Sequence, residues 1–170
     1  MIERHHQDER AVSSAVFSDC EQYRYTLTRR WAEGPGVMFL MLNPSTADEF
    51  RNDPTVERCE RRARALGYGA FRVCNIFAYR ATDPKVMRAA ADPIGPGNDA
   101  AIMAGCDWAK AVVAAWGTHG AHLDRGPAVA DMLHRAGIEP LTLGLSKHGH
   151  PKHPLYIGYA VQPTRWEIGA

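Results

Sequence analysis

Six consecutive apolar residues, Val37 to Leu42 (VMFLML), run directly into Asn43-Pro44. A strand with no polar alternation needs cover on both faces, so this run predicts a central strand of a sheet with material packed above and below it. Pro44 cannot donate to a sheet ladder and holds the preceding residue extended, which fixes where the strand ends and how Asn43 leaves it. At 170 residues, 45% of them hydrophobic, the chain is long enough to bury such a strand within one domain.

The flanking sequence alternates strand-like and helix-like segments. Residues 11–17 and 22–31 read as two antiparallel strands around the polar turn Ser18 to Glu21, the second alternating Tyr23, Tyr25 and Leu27 with Arg24, Thr26 and Thr28. Asp53-Pro54 and Asp83-Pro84 each look like an N-cap followed by proline at the first helical position. A helix is expected from 54 to 66, ending at Gly67, with others over 98–106 and 124–136. Further strands are expected at 70–77, 110–116 and 138–143. This order predicts an α/β fold: a three-layer α/β/α arrangement on a mainly parallel central sheet of about four strands, plus an N-terminal antiparallel hairpin. The expected organisation is one domain, 1–170, with a hairpin extension (1–33) and an α/β core (34–162). Sheets of this kind bind ligands at the carboxyl ends of their strands, where four polar loops of this chain would gather.

Charge narrows the partners. Twenty basic and nineteen acidic residues give a net charge of +1, which excludes nucleic-acid binding by bulk charge. No apolar stretch is long enough to span a bilayer, and residues 1–21 contain no leader-like apolar run, so a cytoplasmic protein without membrane contact is expected. Cys20, Cys59, Cys74 and Cys106 form no C-x-x-C pair and read as reduced thiols. Neither a metal nor a cofactor is called for. Three histidines fall within six residues (His148, His150, His153), but no acidic or Cys pair at ligand spacing accompanies them. The oligomeric state is open, a monomer being compatible with all of this.

Four segments carry chemistry. Asn43, in Leu42-Asn43-Pro44-Ser45-Thr46-Ala47-Asp48, can aim its amide at a ligand or water, or merely close an Asx turn. Asn75 lies in an apolar strand, where an amide is costly unless paired; its adjacent donor and acceptor match the edge of a pyrimidine. Trp116-Gly117-Thr118-His119-Gly120 allows close backbone approach, to a ligand or to another loop. In the His-rich loop, Pro154 fixes the backbone beside His153, which with Lys147 and Lys152 would face an anion or phosphates. Asp48 remains a candidate base or arginine partner, whereas Asp53 and Asp83 read as helix caps.

These segments in this order, including YRYTLTRRW, MLNPSTAD, NIFAYRATDP, AWGTHG and HPLYI, resemble a mostly bacterial family of unknown function over nearly the whole chain. More distantly, the order of elements resembles the uracil-DNA glycosylase superfamily. In that likeness Asn43-Pro44 is similar to the water-positioning loop, Asn75 to the base-reading asparagine, Trp116-Gly117 to a strand-ending pair, and His153-Pro154-Leu155-Tyr156 to the loop whose histidine stabilises the leaving base. The resemblance implies a glycosylase-like fold and hydrolysis of the N-glycosidic bond of a damaged or modified base flipped from DNA. Asn43, with Asp48, would hold the attacking water and His153 would face the developing charge. Asn75, Pro44 and Ser45 would contact the base, with Phe50, Phe77 or Tyr79 stacking on it. Arg58, Arg61, Arg62, Lys147 and Lys152 would meet phosphates, and Leu155 and Tyr156 would enter the DNA stack. The competing expectations are an enzyme acting on free nucleosides or nucleotides and a non-catalytic nucleobase- or nucleotide-binding module.

Overall fold

The computed structural model describes residues 1–167. The last three positions of the expected 1–170 unit lie outside the described residues. Eight strands form one sheet: β1 (Ile2–Gln7), β2 (Val12–Phe17), β3 (Arg24–Arg30), β4 (Gly36–Met41), β5 (Ala70–Asn75), β6 (Ala111–Ala114), β7 (Leu141–Thr142) and β8 (Thr164–Arg165), in the order β1-β2-β3-β5-β4-β6-β7-β8. The α-helices are α1 (Pro54–Ala65), α2 (Pro84–Ala89), α3 (Asn98–Trp108) and α4 (Arg125–Arg135), the last preceded by a 3₁₀ segment, Thr118–Asp124.

All six residues of β4 are buried, and β5 and β6 flank it in parallel. Period-two alternation divides its side chains between two cores. Val37, Phe39 and Met41 pack with Val56, Cys59 and Ala63 of α1. Met38, Leu40 and Leu42 pack with Ile102 and Cys106 of α3 and Val129 and Leu133 of α4. The helix starts follow the capping logic: Asp53 accepts from the Val56 amide at 2.9 Å, and Asp83 accepts from the Lys85 amide at 2.9 Å.

The expected architecture needs correction. The sheet is mixed and twice as wide as expected, and antiparallel pairings (β1–β2, β2–β3, β3–β5, β7–β8) outnumber the parallel ones (β4–β5, β4–β6, β6–β7). The three-layer, mainly parallel, glycosylase-like class therefore does not describe this chain. The physical cause lies at the amino-terminal end. The N-terminal strands do not form a separate extension, because β3 pairs antiparallel with the open edge of β5, Leu27 opposite Val73. They continue the sheet outward to β1, whose alternating half-buried and exposed residues IERHHQ carry no apolar signal. The expected strand 138–143 contracts to two residues, and β8 pairs with it at the far edge.

Candidate functional site

Parallel pairing places Met41 opposite Asn75, so β4 and β5 end at the same level of the sheet. Asn43 and Asn75 meet there. Together with Arg24, Met41, Pro44, Ser45, Asp53, Thr55, Val56 and His153 they line a small cavity of about 40 Å³. The sequence-expected residues Asn43, Pro44, Ser45, Asn75 and His153 are thus brought together from three separate stretches of chain.

Asn75 is 1% exposed, and neither its Oδ1 nor its Nδ2 has a hydrogen-bond partner among the described residues. Buried polar atoms are normally paired, and each unpaired one costs about 1–3 kcal/mol. The backbone that presents it is held firmly. Asn98 Nδ2 donates to the carbonyls of Asn75 (2.9 Å) and Ile76 (3.2 Å), and Arg125 Nε donates to Ile76 at 2.8 Å. The amide is therefore unpaired on a rigid mount.

Asn43 is anchored differently. Its Nδ2 donates to the carbonyls of Ala81 (2.8 Å), Pro44 (3.1 Å) and Tyr79 (3.4 Å), tying the loop after β4 to the segment after β5. With the amide nitrogen committed to carbonyls, Oδ1 is the atom left to accept a hydrogen bond from a ligand or water. Ser45 and Thr82 join their hydroxyls at 2.9 Å across the same two loops.

The Leu155 amide donates to His153 Nδ1 at 3.3 Å. An accepting Nδ1 leaves the proton of the neutral ring on Nε2. Burial lowers the His153 pKa to about 4, against a smaller upward pull from Asp53, so the ring is neutral at physiological pH and still has an N–H to donate. Gly117 explains the Trp-Gly pair. It sits at φ 75°, its amide donates to the Pro151 carbonyl at 2.8 Å, and a Cβ there would stand 3.4 Å from His153 Cβ. The pair packs two loops together and so positions His153.

Arg24 and Asp53 complete the cavity. Arg24 is 1% exposed; its Nη1 donates to the Ala47 carbonyl at 2.9 Å, while its Nε has no partner among the described residues. Burial lowers its pKa to about 10, opposed by Asp53, which leaves it a cation at neutral pH. Asp53 Oδ1 caps α1, and Oδ2 accepts from the Ala47 amide at 3.3 Å. Between them Arg24 and Asp53 hold both polar groups of Ala47, and with them the loop 43–48. The strand reading put Arg24 on the polar face of an alternating strand. A β-bulge changes this: Phe17 pairs with Arg24 but Val16 pairs with Thr26, so two residues of β3 oppose one step of β2. Bulges re-aim side chains, and no local sequence signal announces this one. Asp53-Pro54 was legible, but only as a cap.

Several expected residues lie elsewhere. Asp48 does not line the cavity; its Oδ1 accepts from the amides of Phe50 (2.9 Å) and Arg51 (3.0 Å), a local turn. Phe50 is exposed against His6, with ring centroids 4.8 Å apart. Phe77 is buried in the core of α3 and α4, 5.7 Å from the His122 ring, and Tyr79 packs edge-on to Tyr23 at 5.8 Å. None of the three aromatics stands over the cavity. Arg58 and Arg62 do not face outward for phosphate. Arg58 donates to the carbonyls of Pro154 (3.2 Å) and Ile157, and Arg62 donates to Ile157 (3.0 Å), Gly158 (3.0 Å) and Val161 (2.7 Å). Arg61 pairs with Glu57 at 2.9 Å. Arg58 and Arg62 strap the loop after His153 onto α1. Lys147 and Lys152 are exposed, Leu155 is half-buried, and Tyr156 is 90% exposed with φ 71°.

Among the described residues no group of three or more His, Cys, Asp or Glu is placed to hold a metal ion, and no helix is long and apolar enough to cross a membrane. No curated protein and no solved structure matches the chain. The cavity, however, falls within one matched stretch, which begins at Arg24 and ends two positions after His153. Over residues 24–155 the sequence matches the family described as "Protein of unknown function (DUF1643)", and the chain belongs to that family.

Proposed function

We propose that the cavity at the ends of β4 and β5 binds the polar edge of a nucleobase, and that the chain releases this base by hydrolysing its N-glycosidic bond. The observation that carries the reading is the buried carboxamide of Asn75, with donor and acceptor both unpartnered. A carboxamide presents these groups side by side, the pattern that a base edge complements with two parallel hydrogen bonds. About 40 Å³ admits the edge of a ring, so the sugar would lie outside the cavity, toward the loops that carry Asn43 and His153.

The surrounding residues supply what the reaction needs. The C1′–N bond breaks with its electron pair passing to the base. Water adds to C1′, and its proton leaves to the base or to solvent. Asn43 Oδ1, left free by the contacts of Nδ2, would hold that water, and the neutral His153 would donate from Nε2 to the charge that gathers on the base. Both oxygens of Asp53, the carboxylate among the described residues that line the cavity, accept backbone N–H groups and are not free to serve as a strong base. The route is therefore dissociative, driven by positioning and electrostatics. The strapped loop also presents Tyr156, almost wholly exposed and in the left-handed region, beside His153. An exposed aromatic at such a place suits insertion into a DNA stack vacated by a flipped base.

Oligonucleotides carrying uracil, hydroxymethyluracil, hypoxanthine or mismatches, incubated with the protein and assayed for abasic sites and free base, test this reading. Release of at least one base, lost in His153→Ala and Asn43→Ala variants that remain folded, is the expected result. Unchanged release in either variant would remove the assigned roles. The engagement of both Asp53 oxygens by backbone amides also favours a second reading, a nucleobase-binding module without catalysis. Binding of base without release in the same assay would select it.

A further inference from the structure

Arg24 lines the same cavity as Asn75, and its unpartnered Nε adds a second donor to the Asn75 pair. From this we infer that Arg24 is a specificity residue: Arg24 and Asn75 together select a base edge that carries a carbonyl oxygen beside a ring N–H. The inference rests on the nucleobase reading above and adds which edge is accepted.

Among the residues that line the cavity, the buried side-chain atoms without a partner are two donors, Arg24 Nε and Asn75 Nδ2, and one acceptor, Asn75 Oδ1. A lactam edge satisfies all three at once. Its oxygen has two lone pairs for the two donors, and its N–H gives to Oδ1. An amino-imine edge, as in cytosine or adenine, can match a carboxamide by itself, because an amide can be turned over. It would then place its amino group or its single ring-nitrogen lone pair among two donors, leaving a buried donor unpaired or two donors opposed. A site built to hydrogen-bond one group discriminates strongly against an analogue that leaves its buried partners unpaired. Arg24 cannot evade this by losing its proton. Even with its pKa lowered by burial, it is a cation at neutral pH. Nor can it readily swing away, because Nη1 is tied to the Ala47 carbonyl at 2.9 Å and the side chain is fully enclosed.

Isothermal titration of the intact protein with 1-methyluracil, 9-methylhypoxanthine, 1-methylcytosine, 9-methyladenine and 1,3-dimethyluracil, each blocked at the glycosidic nitrogen so that only the far edge is offered, tests the inference. The uracil and hypoxanthine derivatives should bind at least about tenfold more tightly than those of cytosine and adenine, and 1,3-dimethyluracil, which has no ring N–H, should lose that advantage. Arg24→Lys, which keeps the charge but lacks Nε, should bring the two classes to within about threefold of each other. The wild-type comparison decides the matter even if that variant does not fold. Equal binding of both classes by the wild type, or full preference retained in a folded Arg24→Lys, would overturn the inference and leave the nucleobase reading standing. No binding of any base would remove both.

Discussion

An unpaired amide in the middle of a core is a liability for stability, and Asn75 is the residue that bears it. Substitution by leucine removes two unsatisfied polar atoms at similar volume. Asn75→Leu should therefore raise stability by about 1–3 kcal/mol in thermal or urea denaturation while abolishing base binding. A loss of stability would show instead that the amide is satisfied in the free protein. His153 gives a second prediction at this scale. Its folded pKa, about 4, lies below the ordinary 6.5. Between these values the unfolded chain binds a proton that the folded chain does not, so stability is complete above about pH 6.5 and falls as pH drops toward 4, by on the order of 3 kcal/mol. His153→Gln should flatten that decline, as followed by denaturation at stepped pH. Base release should likewise show its acid limb near pH 4, with no inflection near 6.5. Of the site residues, Asn43, Asn75 and His153 were legible because each is a polar side chain at a point where an apolar strand or a proline fixes the backbone. Arg24 was not, because its direction depends on a bulge created by pairing with another strand.

At the scale of elements, α1 does two jobs. One side, with Val56, Cys59 and Ala63, packs on the sheet. Its Arg58 and Arg62 hold the carbonyls of the loop that follows His153. Four arginines between 58 and 64 looked like a basic face, because the sequence does not show that a distant loop returns to lie across them. The strap makes a distinct prediction. Arg62→Ala should destabilise the protein by roughly 2–4 kcal/mol, since it strips the donors from several carbonyls at once. It should slow base release by loosening the His153 loop, yet leave the salt dependence of DNA binding unchanged. Lys152→Ala, on an exposed side chain, should reduce the salt slope by about one with little effect on stability. Titrations of duplex DNA at several salt concentrations, beside melting curves, separate the two. A reduced slope in the Arg62 variant would return that residue to a phosphate-binding role.

At the scale of the whole molecule, the sheet extends well beyond its apolar central strands. The central strands were visible because β4 is apolar on both faces and β5 is buried along its length but for the half-buried Arg72, and their register is what brings Asn43 and Asn75 together. The width and mixed direction depend on how β3 meets β5, which is a long-range pairing without local signature. Gly69, at the β5 end of that junction, tests the pairing. A Cβ there would lie 2.5 Å from the Glu33 carbonyl and 2.6 Å from that of Ala32, both backbone atoms, and the amides of Trp31 and Ala32 donate to the Gly69 carbonyl. Gly69→Ala should therefore cost several kcal/mol in denaturation, more than the same change at the exposed Gly158, whose Cβ would meet nothing within 4 Å.

The central claim is that the Asn75 amide, at the meeting point of five stretches of chain, is there to bind a base. Side-chain amide resonances of the ¹⁵N-labelled protein, followed as uracil or hypoxanthine is added, test it most directly. The Asn75 Nδ2 protons, assigned by their absence from Asn75→Leu, should shift in a saturable manner that tracks binding. Asn75 resonances that stay fixed while the base is in large excess would contradict the claim.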